Sequence, residues 1–356
     1  GWSSPAVSPA GARRRRFRVV IPAHDEEAVI GNVLTDLADQ DYPANLVDSW
    51  VLADRCTDHT AEVARDRVSV AERVEGPDGK AAALNWYLDK HPLQTDEILV
   101  VVDADNRLPA NLLARMADEF DEGAEAVQAY LDVSNPDASL LASASAVSYW
   151  ASNRMVQLAR HNLGWTADLG GTGMALTAGA LAAAGGIGTS TTEDQDLCAR
   201  LLIADTPVRW LHDVRIADEK PSSLGVAVRQ RARWASGKSG VRRQLLADLL
   251  RLRSAAGLDL AIRLIQPSRT FVALLTGILA VVAALVGGDY LFSWQVWLAV
   301  AVLQFIAPLP FLIRDGVGAR YLWRYPLLAV FGVIYLPVRV LGRLTEGWYH
   351  TPHEGG

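Results

Sequence analysis

A run of valines that ends in two carboxylates constrains the fold of this chain more than any other feature of its sequence. Residues 100–102 are all valine, and Asp103 and Asp105 follow them, separated by one alanine. Because these β-branched residues do not alternate with polar ones, they predict a strand buried on both faces, as in a parallel α/β sheet. Ligands of such sheets bind beyond the carboxyl ends of the strands. Two carboxylates there would suit Mg²⁺ or Mn²⁺ held partly by substrate phosphates, and a solvated acid pair is the alternative.

Strand and helix patterns alternate around this run, which predicts a mainly parallel sheet with helices on both of its faces. Polar residues follow the first two strands: His24 and Glu26 after one, and Asp54 after the other. Such side chains would meet at one edge of the sheet. The first turn lacks a GxGxxG fingerprint, which argues against a dinucleotide-binding domain. The predicted strands cover residues 18–22, 49–53, 68–74 and 98–102, and the predicted helices cover residues 26–38, 80–88 and a segment that opens at residues 57–60.

Cysteine usage and charge distribution narrow the setting of the protein. The chain has 356 residues, a formal net charge of −6 and two cysteines, Cys56 and Cys198. Their wide separation predicts neither a disulfide framework nor a zinc site, so we expect a reducing, cytoplasmic environment. Basic residues cluster at positions 13–16 and 229–243. Because basic clusters beside apolar sequence favour an anionic membrane surface, we expect lipid rather than nucleic acid as a partner.

The C-terminal part of the chain is apolar enough to enter a membrane. Residues 270–288 and 291–313 lack charged side chains except at the turn between them, and each stretch is long enough to cross the hydrocarbon core. Three arginines between residues 314 and 324 follow, which predicts cytoplasmic ends for this hairpin. Residues 326–341 form a shorter third candidate, for which an interfacial helix is an equal alternative. The region therefore predicts two or three spans at the inner membrane.

Apolar and basic residues alternate at helical spacing just before these spans, which is typical of helices that lie in the membrane interface. The predicted domain organisation is a basic N-terminal segment (1–16), an α/β domain (17–220), amphipathic interface helices (221–268), a transmembrane region (269–345) and a tail (346–356).

Six short motifs occur in a fixed order along the chain. They are residues 20–27 (VIPAHDEE), residues 53–60 (ADRCTDHT), Gly79-Lys80, Asp103-Ala104-Asp105, Thr192-Glu193-Asp194 and Gln230-Arg231-Ala232-Arg233-Trp234. In this order they resemble the motifs of family-2 glycosyltransferases, and together they are similar to the membrane-integrated synthases of cellulose, chitin, hyaluronan and poly-N-acetylglucosamine. The resemblance implies a GT-A fold, a nucleotide-sugar donor, a divalent cation and inversion at the anomeric carbon.

Roles for individual residues follow from the resemblance. Inverting transfer needs a base that accepts the proton of the acceptor hydroxyl, and Asp194 is the candidate. Residues 193–203 predict an amphipathic helix, and a capping box at its start is the alternative explanation of Asp194. Asp103 and Asp105 would bind Mg²⁺ or Mn²⁺. The donor-binding set is Pro22, His24, Glu26, Asp54, Lys80, Asp103 and Arg233, and the acceptor-binding set is Gly171, Thr172, Gly173, Glu193, Gln230 and Trp234.

Three of these roles have alternative explanations that involve no substrate. Asp54 would also fit an Asx turn at a helix start, and Lys80 would fit a solvated surface lysine. Arg233 would fit a charge that faces phospholipid headgroups.

Two enzyme functions are open at this point. The first is a membrane-bound transferase that extends a β-linked polysaccharide from a UDP-sugar; Trp234 favours it, since an indole can stack on the terminal sugar of an extended acceptor. The second is transfer of one sugar to a lipid or lipid-linked acceptor. An inactive transporter or scaffold component is less favoured. Two or three spans are fewer than the well-known synthases have, so a polymer channel would require oligomerisation or a partner subunit.

Overall fold

A seven-stranded sheet forms the centre of the fold. The computed structural model describes residues 2–3, 14–221, 223–266, 269–287 and 292–326. Across the sheet the strands lie in the order β3-β2-β1-β4-β6-β5-β7. β6 runs antiparallel to both of its neighbours, and the other pairs are parallel. This mainly parallel sheet confirms the predicted α/β architecture. The strands are β1 (Arg16–Ala23), β2 (Val47–Asp54), β3 (Ser69–Arg73), β4 (Glu97–Val101), β5 (Ala126–Val133), β6 (Met174–Thr177) and β7 (Arg209–Asp218).

Helices cover both faces of the sheet and continue beyond it toward the C-terminus. A π-helical turn, Asn153–Gln157, joins α5 to α6. The helices are α1 (Ile30–Ala38), α2 (Thr60–Arg65), α3 (Lys80–Lys90), α4 (Leu112–Asp121), α5 (Leu140–Ser152), α6 (Leu158–Asn162), α7 (Ala178–Ala183), α8 (Glu193–Ile203), α9 (Leu224–Arg251), α10 (Ala255–Ile265), α11 (Arg269–Val286), α12 (Trp294–Ile306), α13 (Leu309–Arg314) and α14 (Ala319–Arg324).

The valine run lies in the middle of the hydrophobic core. Val100, Val101 and Val102 are fully buried. Val100 and Val102 belong to the apolar cluster on the α1 and α4 side of the sheet, whereas Val101 belongs to the cluster on the α3 and α8 side. Side chains alternate between the two faces of a strand, so a strand covered on both faces must be apolar at every position. The sequence pattern and the packing therefore agree.

The first helix starts four residues later than its pattern predicts, and the reason is local. The backbone of Asp25 is left-handed, with φ of 57°, and its carboxylate accepts hydrogen bonds from the Thr57 amide (2.6 Å) and hydroxyl (3.1 Å). The Glu26 amide donates to Thr60 Oγ1 at 2.7 Å. Residues 25–29 therefore tie the loop after β1 to the loop after β2 instead of extending α1.

One helical stretch among the described residues, Trp294–Arg314, is long and apolar enough to cross a membrane. The apolar helix before it, Phe271–Val286, is shorter. The third predicted span, 326–341, lies almost wholly outside the described residues. Of the two or three predicted membrane spans, the described part of the chain therefore supports one.

Helix α9 passes very close to the start of α8, and a glycine makes this approach possible. A Cβ atom added to Gly237 would lie 2.5 Å from Thr192 Cγ2 and 2.6 Å from Thr192 Oγ1. Real side chains do not tolerate such distances, so a larger residue would have to move α9 away from Thr192. Gly240, one turn further along, has no atom within 4 Å of the equivalent position.

We therefore expect Gly237→Ala and Gly240→Ala to change stability in opposite directions. Gly240→Ala should raise the melting temperature, since alanine is favoured over glycine in a helix by about 1 kcal/mol. Gly237→Ala should lower it, because the clash with Thr192 outweighs the same gain in helix propensity. Thermal unfolding of both variants in one detergent tests this pair. Equal stabilisation of the two would contradict the close packing of α9 on α8.

Candidate active site

Asp54 is buried at the end of β2 and bonded to two arginines. Its carboxylate accepts a hydrogen bond from Arg73 Nε at 2.6 Å and one from Arg55 Nε at 3.2 Å. The carbonyl oxygen of Asp54 lies 2.6 Å from His24 Nδ1. Arg55 Nη2 donates a third hydrogen bond, to Asp54 Oδ2 at 3.3 Å, and since a carboxylate offers about four acceptor positions, one position is left for a ligand. The Asp54 side chain bonds to guanidinium groups rather than to the backbone of an Asx turn.

Two further residues that are predicted to bind the donor, Pro22 within β1 and Glu26 after it, have backbone contacts. Pro22 pairs with Leu52 of β2 near the end of the sheet. Glu26 is held by its amide, which donates to Thr60. The structure thus brings Pro22, His24 and Glu26 to the same sheet edge as Asp54.

Lys80 joins three separate parts of the chain. Its ammonium contacts the Asp103 carboxylate and donates a hydrogen bond of 2.7 Å to the Gly171 carbonyl oxygen. The Asp103 amide in turn donates to Thr172 Oγ1 at 3.0 Å. Burial alone would lower the pKa of Lys80, but the nearby carboxylates of Asp103, Glu193 and Asp194 outweigh it and raise that pKa. Lys80 is therefore a positively charged residue of the site rather than a solvated surface lysine.

Asp105 lies beside a buried asparagine that sequence reasoning missed. Asn106 Nδ2 donates to Asp105 Oδ1 at 3.1 Å, and Asn106 Oδ1 contacts the Thr172 hydroxyl. Asn106 is fully buried, so it links the loop after β4 to the turn that contains Thr172. Two carboxylates, Asp103 and Asp105, follow the strand at this edge. Such a pair fits Mg²⁺ or Mn²⁺, which take the remaining ligands from water and substrate phosphates.

A second group of potential ligand atoms lies at the loop after β2. Asp25, Cys56 and Asp58 place one ligand atom each within 4.8 Å of one another, the only such group of three found among the described residues. The Asp25 carboxylate is already bonded to Thr57, and that of Asp58 accepts from the amide and hydroxyl of Thr60. The Glu27 amide also donates to Asp58 Oδ2 at 2.9 Å, so the bonds of Asp25 and Asp58 explain the group as a connection between the loops after β1 and β2.

Asp194 stands at the start of α8, where burial and a like charge change its acidity. Its Oδ1 accepts a hydrogen bond of 2.7 Å from the Gln195 amide. Burial and the neighbouring Glu193 carboxylate raise the pKa of Asp194 to about 7. The Thr192 side chain makes no capping bond to this helix, so the alternative capping box is not formed. A carboxylate with this pKa can accept a proton near neutral pH.

Gly171 occupies the space between this acid pair and Lys80. Its φ is +82°, and a Cβ atom there would lie 3.7 Å from Glu193 Oε1, 4.0 Å from Asp194 Oδ2 and 4.0 Å from Lys80 Nζ. Glycine adopts positive φ without steric cost and leaves this space open. The predicted residues Gly171, Glu193, Asp194 and Lys80 are thus close together.

A cavity of about 330 Å³ adjoins Asp194 and extends to α9. Trp234 of α9, which is predicted to bind the acceptor, lines this cavity, whereas Gln230 is not among the lining residues. The side chain of Arg233, which is predicted to bind the donor, is outside the part of the chain that the structure describes. The cavity is lined by Gln128, Leu131, Ser148, Tyr149, Ser152, Asn153, Gln157, Asp168, Gly170, Thr192, Asp194, Gln195, Trp210 and Trp234.

A buried glutamine holds the glycine-rich turn of this site. Gln128 of β5 is 1% exposed. Its Oε1 accepts from the Gly170 amide at 2.9 Å, and its Nε2 donates to the Thr172 carbonyl oxygen at 2.8 Å. The sequence carried a signal for this residue, because a glutamine interrupts the apolar run of a strand that is otherwise buried. A polar side chain at such a position requires partners.

The π-helical turn contributes two amide side chains to the same cavity. Asn153 Nδ2 donates to the Leu131 carbonyl oxygen at 2.8 Å, and Gln157 Oε1 accepts from the Asp168 amide at 3.0 Å. π-helical turns occur often at functional sites because the extra residue redirects side chains. No pattern in the sequence predicts this turn.

Comparison with known proteins agrees with this geometry. Over 236 residues the chain is 29% identical to a β-monoglucosyldiacylglycerol synthase of Nostoc sp., covering 62% of this chain and 48% of that protein. It is 25% identical to the probable glycosyltransferase YdaM of Bacillus subtilis, covering 67% of this chain and 59% of that protein. The chain thus spans about half the length of the first of these curated relatives.

Two solved structures share the fold. The mannosyltransferase PcManGT from Pyrobaculum calidifontis, in complex with GDP-Man and Mn²⁺, matches with a TM-score of 0.59 and 19% identity, covering 96% of this chain and 91% of that one. The TarS fragment 1–349 of S. aureus, in complex with UDP, matches with a TM-score of 0.52 and 16% identity, covering 96% and 95%. At these identities the likeness concerns the GT-A-like fold alone. A family model described as glycosyltransferase like family 2 matches residues 14–237, more than half of the chain, and the chain therefore belongs to that family.

Proposed function

We propose that this protein transfers one sugar, with inversion, from a nucleotide-sugar donor to a hydroxyl group of a membrane lipid. One observation favours a lipid as the acceptor. Helix α5 lines the cavity through Ser148, Tyr149 and Ser152, while its other side packs against α13, at the end of the apolar stretch Trp294–Arg314, and against α14. An acceptor bound in this cavity would lie next to the part of the chain that meets the bilayer.

The contacts on the far side of α5 are specific. Trp150 packs edge-on against Tyr321 of α14 with ring centroids 5.3 Å apart. Arg324 donates a hydrogen bond of 2.6 Å to the Ser143 hydroxyl. Val147 belongs to one apolar cluster with Leu312 of α13. These contacts support a fixed position of the cavity relative to the C-terminal helices.

The curated relatives support the same acceptor class. Three of them, 29–30% identical to this chain, are named as β-monoglucosyldiacylglycerol synthases. We therefore propose glucose as the transferred sugar and diacylglycerol as the acceptor, with a UDP-sugar as the donor.

Helices α11 and α12 would anchor the protein in the lipid bilayer. Large apolar side chains remain exposed on both of them, among them Leu285 (81%) and Leu303 (57%). In water such side chains would form a large apolar patch, whereas lipid tails would cover them. We propose that the sheet lies on the cytoplasmic side of the inner membrane, where nucleotide sugars are made.

The donor would lie along the ends of β1, β2 and β4. Asp54 and His24 would contact the nucleoside, and Lys80 would bind the diphosphate through its ammonium. Asp103 and Asp105 would hold Mg²⁺ or Mn²⁺, which neutralises charge on the departing diphosphate. The contact between Lys80 and Gly171 holds the sugar end of this site beside Asp194.

Asp194 would act as the general base. Its pKa, raised to about 7, lets the carboxylate form near neutral pH, and that carboxylate would accept the proton of the attacking hydroxyl. The anomeric carbon would lie between this hydroxyl and the diphosphate.

Extension of a saccharide remains a second candidate, because Trp234 and Trp210 both line the cavity. Indole rings stack well on sugar rings. This function would use the same donor site and the same base but a sugar hydroxyl as the acceptor.

Product analysis separates the two functions. Full-length protein in lipid vesicles should convert UDP-glucose and diacylglycerol into a monoglycosylated lipid, and excess chelator should abolish this transfer. Mass spectrometry of the lipid fraction gives the number of sugars added. A soluble or lipid-bound polymer as the main product would support the second candidate instead.

Asp194→Asn should lower the transfer rate by roughly 10²-fold or more, because asparagine keeps the size of the side chain but cannot accept the proton. Binding of UDP should be unchanged, since the donor contacts lie elsewhere. Radiolabelled transfer and UDP binding measured on the same preparation test this prediction. Near-normal transfer by a folded Asp194→Asn protein would show that another group is the base.

The pH dependence of transfer should report on the acid pair. Since Asp194 acts as the carboxylate, the rate should rise with pH through about 7 and then level off. Glu193→Gln removes a negative neighbour, which makes the Asp194 carboxylate easier to form and lowers its pKa. The rising limb should therefore move to lower pH, whereas it should stay in place for the exposed acid variant Asp89→Asn. A shift to higher pH in Glu193→Gln would contradict the assignment.

A further inference from the structure

We infer that Arg154 is a positioning residue for acceptor binding: it ties the end of the apolar stretch Trp294–Arg314 to the π-helical turn and to Trp210, two parts of the wall of the cavity beside Asp194. This inference rests on the proposed function, to which it adds a residue that does not itself line the cavity. It comes from a chain of contacts that runs from Asp315 through Arg154 to the cavity wall.

Arg154 belongs to the π-helical turn but not to the cavity wall. Asn153 and Gln157, at the two ends of this turn, line the cavity, whereas Arg154 does not. The Arg154 side chain is 5% exposed, and its Nη1 lies 3.1 Å from Asp315 Oδ1. One five-residue turn thus carries two amides for the cavity and one cation for an ion pair. Movement of Arg154 would move both amides.

Asp315 forms the other half of this ion pair. It follows α13 directly, and α13 ends the apolar stretch Trp294–Arg314. Burial raises the pKa of Asp315, although the charges of Arg154, Arg215 and Arg314 act to lower it. A carboxylate buried here depends on a cation beside it, and Arg154 supplies that cation. The end of the apolar stretch is therefore joined to the π-helical turn.

A second branch of this chain of contacts reaches Trp210. Arg154 Nη1 lies 3.3 Å from His212 Nε2, and Trp210 Nε1 donates a hydrogen bond of 3.1 Å to His212 Nδ1. Burial and the charges of Arg154 and Arg215 lower the pKa of His212 to about 4, so its ring is uncharged at neutral pH. A neutral imidazole has one acceptor nitrogen, here Nδ1, and Arg154 therefore restrains the ring by contact. The position of His212 in turn sets that of Trp210.

The ion pair is poorly suited to a purely stabilising role. Arg154 Nε and Asp315 Oδ2 are both buried without a hydrogen-bond partner, and the bonds from Arg154 Nη2 to the carbonyl oxygens of Trp2 and Ser3 are long, at 3.4 Å. Apolar residues in place of such a buried pair are often equally stable or more so. They would not preserve the contact of one guanidinium with both Asp315 and His212. This difference distinguishes a positioning role from a stabilising one.

An apolar double variant tests this inference on the full-length protein with the donor and diacylglycerol. Arg154→Met or Asp315→Leu alone leaves one buried charge without its partner, so each should lower the melting temperature. The double variant should recover a melting temperature near that of the unchanged protein. Its acceptor KM should nevertheless be about tenfold higher, the effect of about one misdirected hydrogen bond to the acceptor. The donor KM and donor hydrolysis without acceptor should be unchanged.

A buried ion pair at the other end of the sheet is the matched control. Arg18 of β1 and Glu97 of β4 lie 2.9 Å apart, and their side chains are 12% and 4% exposed. The double variant Arg18→Met/Glu97→Leu should leave the acceptor KM unchanged. If the Arg154→Met/Asp315→Leu protein has the acceptor KM of the unchanged protein, the pair is only structural and the inference is overturned. An equal loss of transfer and donor hydrolysis would also overturn it, since the whole site would then be damaged.

Arg154→Lys provides a second test that keeps the positive charge and does not depend on the folding of the apolar variant. An ammonium lacks the planar fork with which a guanidinium contacts Asp315 and His212 together, so the acceptor KM should rise by about threefold with donor hydrolysis unchanged. An unchanged acceptor KM in a folded Arg154→Lys protein would contradict the positioning role.

The proposed function and this inference fail in different ways. If the protein glycosylates only soluble saccharides, the lipid acceptor is wrong, and the same KM measurements with a saccharide acceptor decide the role of Arg154. If diacylglycerol is glycosylated with an unchanged KM in the double variant and in Arg154→Lys, the lipid function stands and the inference is wrong.

Discussion

The ammonium of Lys80 is the interaction on which the arrangement of the site depends. It connects the end of the valine strand, through Asp103, to the glycine-rich turn, through Gly171. These segments are far apart in the sequence, and α8 with its acid pair packs beside them. Its positive charge also offsets the mutual repulsion of three nearby carboxylates, those of Asp103, Glu193 and Asp194.

Around this contact, rigidity comes from neutral hydrogen bonds rather than from further charges. Gln128 and Asn106 are both buried, and each holds one side of the turn at Thr172. Fully satisfied buried amides specify one backbone geometry, because any other arrangement would leave polar groups unpaired. The turn at Thr172 is therefore held in one geometry by the protein itself.

The sequence predicted the framework of the site better than its acceptor side. The strand before Asp103 and the helix Glu193–Ile203 follow from patterns that burial and periodicity dictate locally. The cavity does not, since it is formed by segments whose proximity depends on tertiary packing, such as the π-helical turn and Trp210. In the sequence, Trp234 favoured a polysaccharide over a lipid acceptor, whereas no pattern indicated that α5 packs against the C-terminal helices α13 and α14.

The two-sided packing of α5 has a consequence for how acceptor preference can change. The residues that contact α13 and α14 do not line the cavity, yet they fix the helix that does. Substitutions of small residues such as Ala144 and Ala151 would shift α5 and so change the shape of the cavity, although neither residue lines it. Acceptor range can thus diverge between related enzymes through positions that never touch a substrate, while the donor end of the sheet stays the same.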